Sequence, residues 1–346
     1  MQMSNSQKEC FVLGTRPEVI KLAPIITKMD AFVIHTGQHE ELAHRMYELF
    51  NIKPDADLKL MTSNQSIVHF LSIALVELDE LVKKHDFKRI WVQGDTSSAL
   101  AGAIVASINQ IQLVHVEAGL RSFDKNNPFP EEIFRKMIDS TTDIYFSPTR
   151  KAVKHLNNEG IIKNVHLVGN TVIDAVEMIK DTLPNTRPIK EKYVLATVHR
   201  RESFGDDLEE IFKALKKLSK EIKIVLPAHP NPNVRKIIDK VGLEVVKPMN
   251  YTNFMWHLKH CEYVISDSGG IQEEAPSFRK RVVVLRKTTE RQELIECGYG
   301  ILIDTMKCDY ILDRIHEFVN SDINITHNPF GDGHASDKII DIIKKM

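Results

Sequence analysis

Short apolar runs recur along the chain, each followed by a polar turn and then by apolar positions three and four apart. The runs at 10–13, 32–35, 89–92, 112–116, 144–146 and 165–168 have the length of strands buried on both faces. Helical spacing follows them: from Pro17 to about Met29, after His39, over 65–85, over 97–107, from Glu131 onward and over 150–157. Residues 51–64 read as a long connection. The pattern breaks at 181–192, DTLPNTRPIKEK, where two prolines and several charges mark a linker. It then resumes, with strands predicted at 193–197, 222–226, 243–246, 263–266, 282–285 and 301–303. Alternation of this kind predicts doubly wound, mainly parallel sheets. The expected fold class is therefore α/β, with two Rossmann-like domains facing across a cleft. Residues 1–180 form the N-terminal domain and 181–336 the C-terminal domain. The helix at 337–346 is expected to pack back on the first.

Composition narrows the function classes. At 346 residues the chain is long for one core. Its formal net charge of −1 argues against broad nucleic-acid binding. Four cysteines, Cys10, Cys261, Cys297 and Cys308, are scattered without a CxxC or zinc-like spacing, which fits a reducing compartment. Cys10 and Cys261 lie in or beside strands and are expected in the core. No apolar run has signal-peptide length near the start, and none approaches a membrane span. A cytoplasmic location is expected.

Polar residues gather where strands end. In an open α/β sheet, ligands bind at the carboxyl ends of strands. Glu117 ends one strand, Glu131 begins the next helix, and Arg121 and Arg135 lie close in sequence. Two acids and two arginines there suit acid/base work on an anion. A capped helix with an i,i+4 Glu131–Arg135 pair is the plainer alternative. Asp95, in Gln93-Gly94-Asp95-Thr96, adds a third acid, or else caps its helix.

Gly14-Thr15-Arg16-Pro17-Glu18 joins a strand to a helix whose N-terminus can hold an anion, with Arg16 and Lys21 adding charge. It is neither a P-loop nor a GxGxxG fingerprint, so a nicotinamide cofactor is not indicated. Asp267-Ser268-Gly269-Gly270-Ile271-Gln272-Glu273-Glu274 suits a phosphate nest, with Glu274 placed for ribose hydroxyls. His199 and Arg200 follow another strand and suit a diphosphate. His229, at the next strand's end, fits a ligand or a loop equally well. No cluster has convincing metal-ligand spacing, and nothing marks a Ser-His-Asp triad.

Taken in order, these motifs, with Thr36-Gly37-Gln38-His39, Pro130-Glu131-Glu132, Gly169-Asn170-Thr171 and His199-Arg200-Arg201-Glu202, resemble those of non-hydrolysing UDP-N-acetylglucosamine 2-epimerases over nearly the whole chain. The resemblance implies the glycosyltransferase-B fold and interconversion of UDP-GlcNAc and UDP-ManNAc without a cofactor or metal. It implies anti elimination of UDP to 2-acetamidoglucal and re-addition with the opposite configuration at C2. Asp95, Glu117 and Glu131 match the acid/base carboxylates. His199 matches a histidine of catalysis and diphosphate binding. Arg16, Lys21, Arg135 and Arg291 match cleft cations. Ser268, Gly269, Gly270 and Glu274 match the UDP site, and backbone near 248–254 the uracil pocket. Gln38, His39 and Arg200 resemble parts of an activator site for a second UDP-GlcNAc, although Glu41 and Asn64 depart from it. Relatives are commonly homodimers. The product would feed cell-surface polysaccharide synthesis. No nucleic-acid partner and no membrane insertion are expected. A hydrolysing epimerase, an enzyme for a C3-modified UDP-sugar, a glycosyltransferase and a nucleotide-sugar sensor are the alternatives.

Overall fold

Parallel strands covered by helices account for the near-continuous apolar runs. The computed structural model describes residues 9–38, 40–198, 205–228, 231–321 and 327–346. The first half runs β1 (Glu9–Leu13), α1 (Arg16–Ile26), β2 (Ala31–His35), α2 (Glu40–Leu49), β3 (Ala56–Asp57), α3 (Ile67–Val82), β4 (Arg89–Gln93), α4 (Ser97–Ile108), β5 (Gln112–Val116), α5 (Glu131–Thr141), β6 (Ile144–Ser147), α6 (Arg150–Asn158), β7 (Val165–Leu167) and α7 (Thr171–Lys180). Then come β8 (Tyr193–Thr197), α8 (Asp206–Leu218), β9 (Lys223–Val225), α9 (Pro232–Val241), α10 (Tyr251–His260), β10 (Tyr263–Ser266), α11 (Gly269–Glu274), β11 (Arg281–Leu285), α12 (Gln292–Glu296), β12 (Gly300–Ile303), α13 (Cys308–Val319) and α14 (Ala335–Ile343).

The chain divides into two compact units, Met1–Ala175 with Phe330–Met346, and Val176–Pro329. The division falls inside α7, ahead of the proline-containing segment at 181–192. The first unit holds a seven-stranded parallel sheet in the order β3-β2-β1-β4-β5-β6-β7. On one face Val12, Val92 and Leu113 pack with Phe70 and Leu78 of α3 and with α4. That explains why α4 is apolar on nearly every side: it is buried along most of its length. The second unit holds a five-stranded parallel sheet, β12-β11-β10-β8-β9. Val194, Ala196, Ile265 and Val283 pack there with Phe212 and Leu215 of α8 and Ile311 and Ile315 of α13. Cys10 and Cys261 are buried. No helix among the described residues is long and apolar enough to cross a membrane.

Two readings need correction. Residues 243–246 form no strand, only an isolated parallel bridge between Pro227 and Val246. Ala228 N–H to Val246 O and Val246 N–H to Leu226 O are its hydrogen bonds, both 2.9 Å. Pro248 has no N–H with which to extend it past Ala228. The connection at 51–64 contains β3, which pairs parallel with β2 in the register Ile34–Ala56 and His35–Asp57.

Helix α14 is fastened within the first unit. The Asp174 carboxylate accepts the Ala335 N–H (3.2 Å), the Ser336 N–H (2.7 Å) and the Ser336 hydroxyl (2.6 Å). Lys28 Nζ donates to Ser336 Oγ (2.9 Å) and Asp337 (2.5 Å).

Candidate active site

The order β1-β4-β5 brings three strand ends together in the first unit. Glu117, the residue after β5, has φ +71°, a region that non-glycine residues seldom occupy. Its N–H and that of Ala118 both donate to the Phe146 carbonyl of β6, at 2.9 and 3.1 Å. The buried Glu117 side chain accepts from Lys21 Nζ of α1 at 2.5 Å, and the Gln93 amide at the end of β4 donates to the same oxygen. Side-chain donors and an unusual backbone conformation thus place one carboxylate, the type of local strain that gathers at functional sites.

Asp95, two residues past β4, is about a quarter exposed. It accepts from Arg135 Nη2 (2.5 Å) and Nε (3.1 Å). It does not cap α4: Thr96 does, its Oγ1 accepting the Ala99 N–H at 3.0 Å. Arg135 Nη1 also donates to Glu132 at 2.6 Å. Glu132 in turn accepts the Ser122 and Phe123 N–H groups at 2.9 and 3.2 Å, holding the loop between Glu117 and α5. Glu131, half-buried, opens α5.

Arg121 belongs to a support beneath this loop and not among the converging cations. It donates to Asp139 at 2.7 Å and, through Nε and Nη2, to Glu159 at 2.8 and 2.6 Å. His115 bonds Asp139 through Nδ1 (2.7 Å) and the Gly94 carbonyl through Nε2 (2.8 Å). Burial alone would raise the Asp139 carboxyl, but His115 and Arg121 beside it hold it below its ordinary value. Gly119, at φ +87°, lies so close to α6 that a Cβ would stand 2.4 Å from the Ala152 carbonyl oxygen.

Glu18 is fully buried at the start of α1. Its Oε2 accepts the Gly14 and Thr15 N–H groups at 3.0 and 2.7 Å, and its Oε1 lies 2.7 Å from Thr96 Oγ1. Burial pushes its pKa up to about 7, outweighing those hydrogen bonds. A protonated Oε1 can donate to Thr96 while Oε2 keeps both backbone bonds. Arg16 is exposed at the same helix start. Gln38 Oε1 accepts from Ser98 Oγ at 2.8 Å and Ser98 N–H at 3.3 Å.

In the second unit the turn after β10 runs through Ser268 into α11. The Ser268 N–H bonds Ser266 Oγ (2.9 Å), which lies 2.8 Å from Thr197 Oγ1 at the end of β8. A Cβ on Gly269 would come within 2.9 Å of Arg291 Nη1, and around Gly270 the space is open to 4 Å. Arg291 bonds Glu273 through Nε at 2.8 Å and Glu290 through Nη1. Buried Glu274 accepts from the Tyr251 hydroxyl at 2.9 Å. His39, His199, Arg200 and His229 lie outside the described residues.

Gln93, Glu132, Tyr251 and the His115–Asp139 pair were not singled out from the sequence. Nor was Glu18 as a titrating group, although its place three residues after Thr15 is the capping-box spacing.

The chain matches the family model described as UDP-N-acetylglucosamine 2-epimerase over residues 26–344. It is 37% identical to the UDP-N-acetylglucosamine 2-epimerase of Salmonella borreze, over 96% of this chain and 97% of that relative. Among solved structures it is similar to the Neisseria meningitidis UDP-GlcNAc 2-epimerase bound to UDP-GlcNAc, at 33% identity and a TM-score of 0.90, covering 98% of this chain and 100% of that one. It is likewise similar to the S. aureus MnaA–UDP co-structure, at 36% identity and a TM-score of 0.89, covering 98% and 96%. Two parallel α/β units of the glycosyltransferase-B type and similarity along nearly its whole length lead to one assignment: the chain belongs to the UDP-N-acetylglucosamine 2-epimerase family, a family of isomerases.

Proposed function

We propose that this chain interconverts UDP-GlcNAc and UDP-ManNAc without net hydrolysis. The observation that carries the reading is the set of carboxylates at the strand ends of the first unit, two of them, Glu117 and Asp95, held by Lys21 and Arg135. A hydrogen at C2 of the sugar is only weakly acidic. Breaking the anomeric C–O bond as the proton leaves avoids a full carbanion. A carboxylate among Asp95, Glu117 and Glu131 takes the C2 proton, a C1–C2 double bond forms, and UDP departs with the C–O electron pair. The products are 2-acetamidoglucal and UDP. In the return step UDP adds to C1, and an acid among the same residues delivers a proton to the opposite face of C2. His199, Arg16 and Arg291, with the Ser268-Gly269-Gly270 turn, stabilise the departing diphosphate. Glu274 accepts from the ribose hydroxyls.

In the same proposal Gln38, His39 and Arg200 contribute to a site for a second UDP-GlcNAc. The enzyme acts in the cytoplasm as a homodimer and supplies ManNAc-type sugars for surface polysaccharide.

Proton NMR in heavy water with UDP-GlcNAc tests the reaction. Growth of UDP-ManNAc signals with deuterium at C2 is expected. Accumulation of free ManNAc and UDP overturns the non-hydrolysing reading, and an unchanged spectrum overturns UDP-GlcNAc as the substrate.

A further inference from the structure

His35 ends β2, and its register partner on β3 is Asp57. Helix α2 returns His44 to the same place: the two imidazole centroids are 5.2 Å apart, and His44 Nε2 lies 3.2 Å from Asp57 Oδ2. One ligand atom from each residue lies within 4.8 Å of the other two. We propose that His35, His44 and Asp57 bind a divalent late first-row metal ion, Zn²⁺ or one like it, at a site the epimerase chemistry does not use.

The donor set supports that class of ion. Two imidazoles and one carboxylate are the borderline nitrogen and oxygen ligands that Zn²⁺ takes, whereas Ca²⁺ and Mg²⁺ prefer oxygen throughout. In a tetrahedral site with bonds of about 2.0–2.1 Å, ligand atoms stand roughly 3.3 Å from one another. The His44–Asp57 separation already matches that edge. Buried His35 supplies a fixed ligand, and Tyr47 Oη, 3.2 Å from its Nδ1, orients the ring as an outer partner does in metal sites. His44 and Asp57 are partly exposed, which gives an ion a way in and leaves room for a water ligand. Bound there, the ion would tie β2, α2 and β3 together and fix the turn that carries Gln38.

Metal-stripped full-length protein titrated with Zn²⁺ against a chromogenic chelator tests this. One ion per chain is expected, with an affinity of roughly micromolar or tighter. His44→Ala and Asp57→Asn, both at partly exposed positions, should each weaken binding by more than about 100-fold. The same changes should abolish the Co²⁺ absorption of a four-coordinate site while circular dichroism stays at the parent's. Should His44→Ala fail to fold, Asp57→Asn decides alone. Equal affinity in parent and variants, or one-to-one binding that survives either change, overturns the proposal and leaves an ordinary His44–Asp57 hydrogen bond.

Discussion

The turn after β5 and the turn after β10 each leave the carboxyl end of an inner strand of a parallel sheet, yet they carry different chemistry. After β5 the polar atoms are side chains: Glu117 under Lys21 and Gln93, with Asp95 under Arg135 close by in the same unit. After β10 the chain turns through Ser268, Gly269 and Gly270, where the Ser268 N–H bonds Ser266 Oγ and buried acids are held in place, Glu274 by Tyr251 and Glu273 by Arg291. Carboxylates can exchange protons, whereas a backbone nest can only hold an anion. In the proposed function one topology serves for proton transfer in the first unit and for binding in the second, and variants of the two should separate in kcat and KM.

The largest effect is expected from the acids. Asp95→Asn, Glu117→Gln and Glu131→Gln should each lower kcat by about 100- to 10,000-fold. UDP affinity, read by calorimetry, should hardly move. Parent-like turnover in all three would end the acid/base assignment.

Glu18→Gln sharpens the comparison within the first unit. With its pKa raised from 4.5 to about 7, the folded chain keeps a proton that the unfolded chain releases. Stability from this group is present below pH 4.5 and declines as pH rises to about 7, by on the order of 3 kcal/mol. Glutamine keeps the neutral hydrogen-bonding pattern, so the variant's advantage in unfolding free energy should grow across that window and level off above it. A parallel pH dependence in parent and variant would mean that Glu18 is ionised in the fold.

In the second unit, Glu274→Gln should weaken UDP by about 10- to 100-fold, the range for a charged hydrogen bond. Its kcat should change far less. Tyr251→Phe removes only the hydroxyl that orients Glu274 and should cost about 1 kcal/mol of UDP binding. If either variant lowers kcat more than it raises KM, the division between the units fails.

The elements were legible because apolar runs and helical spacing are local properties of the chain. The turn-to-helix joints at Gly14 and Ser268 were legible for the same reason. What stayed hidden depends on strand order. Lys21 meets Glu117 only because β1, β4 and β5 are neighbours. Arg135 bonds Glu132 on its own helix, and the same guanidinium also reaches Asp95, forty residues earlier. His35, His44 and Asp57 have no motif spacing, and a two-residue strand inside a long connection sets their meeting. Glu18 has the capping-box spacing from Thr15, and nothing in that spacing reveals that the carboxyl is sealed from water.

The fastening of α14 by Asp174 and Lys28 has a consequence for synthesis. The whole of Val176–Pro329 is inserted between two parts of the first unit. On a ribosome that intervening stretch takes on the order of ten seconds to emerge. Throughout that interval the second unit is nearing completion, while the first still lacks its final helix. The newborn chain therefore completes the part proposed to hold a nucleotide before the part proposed to transform it is whole.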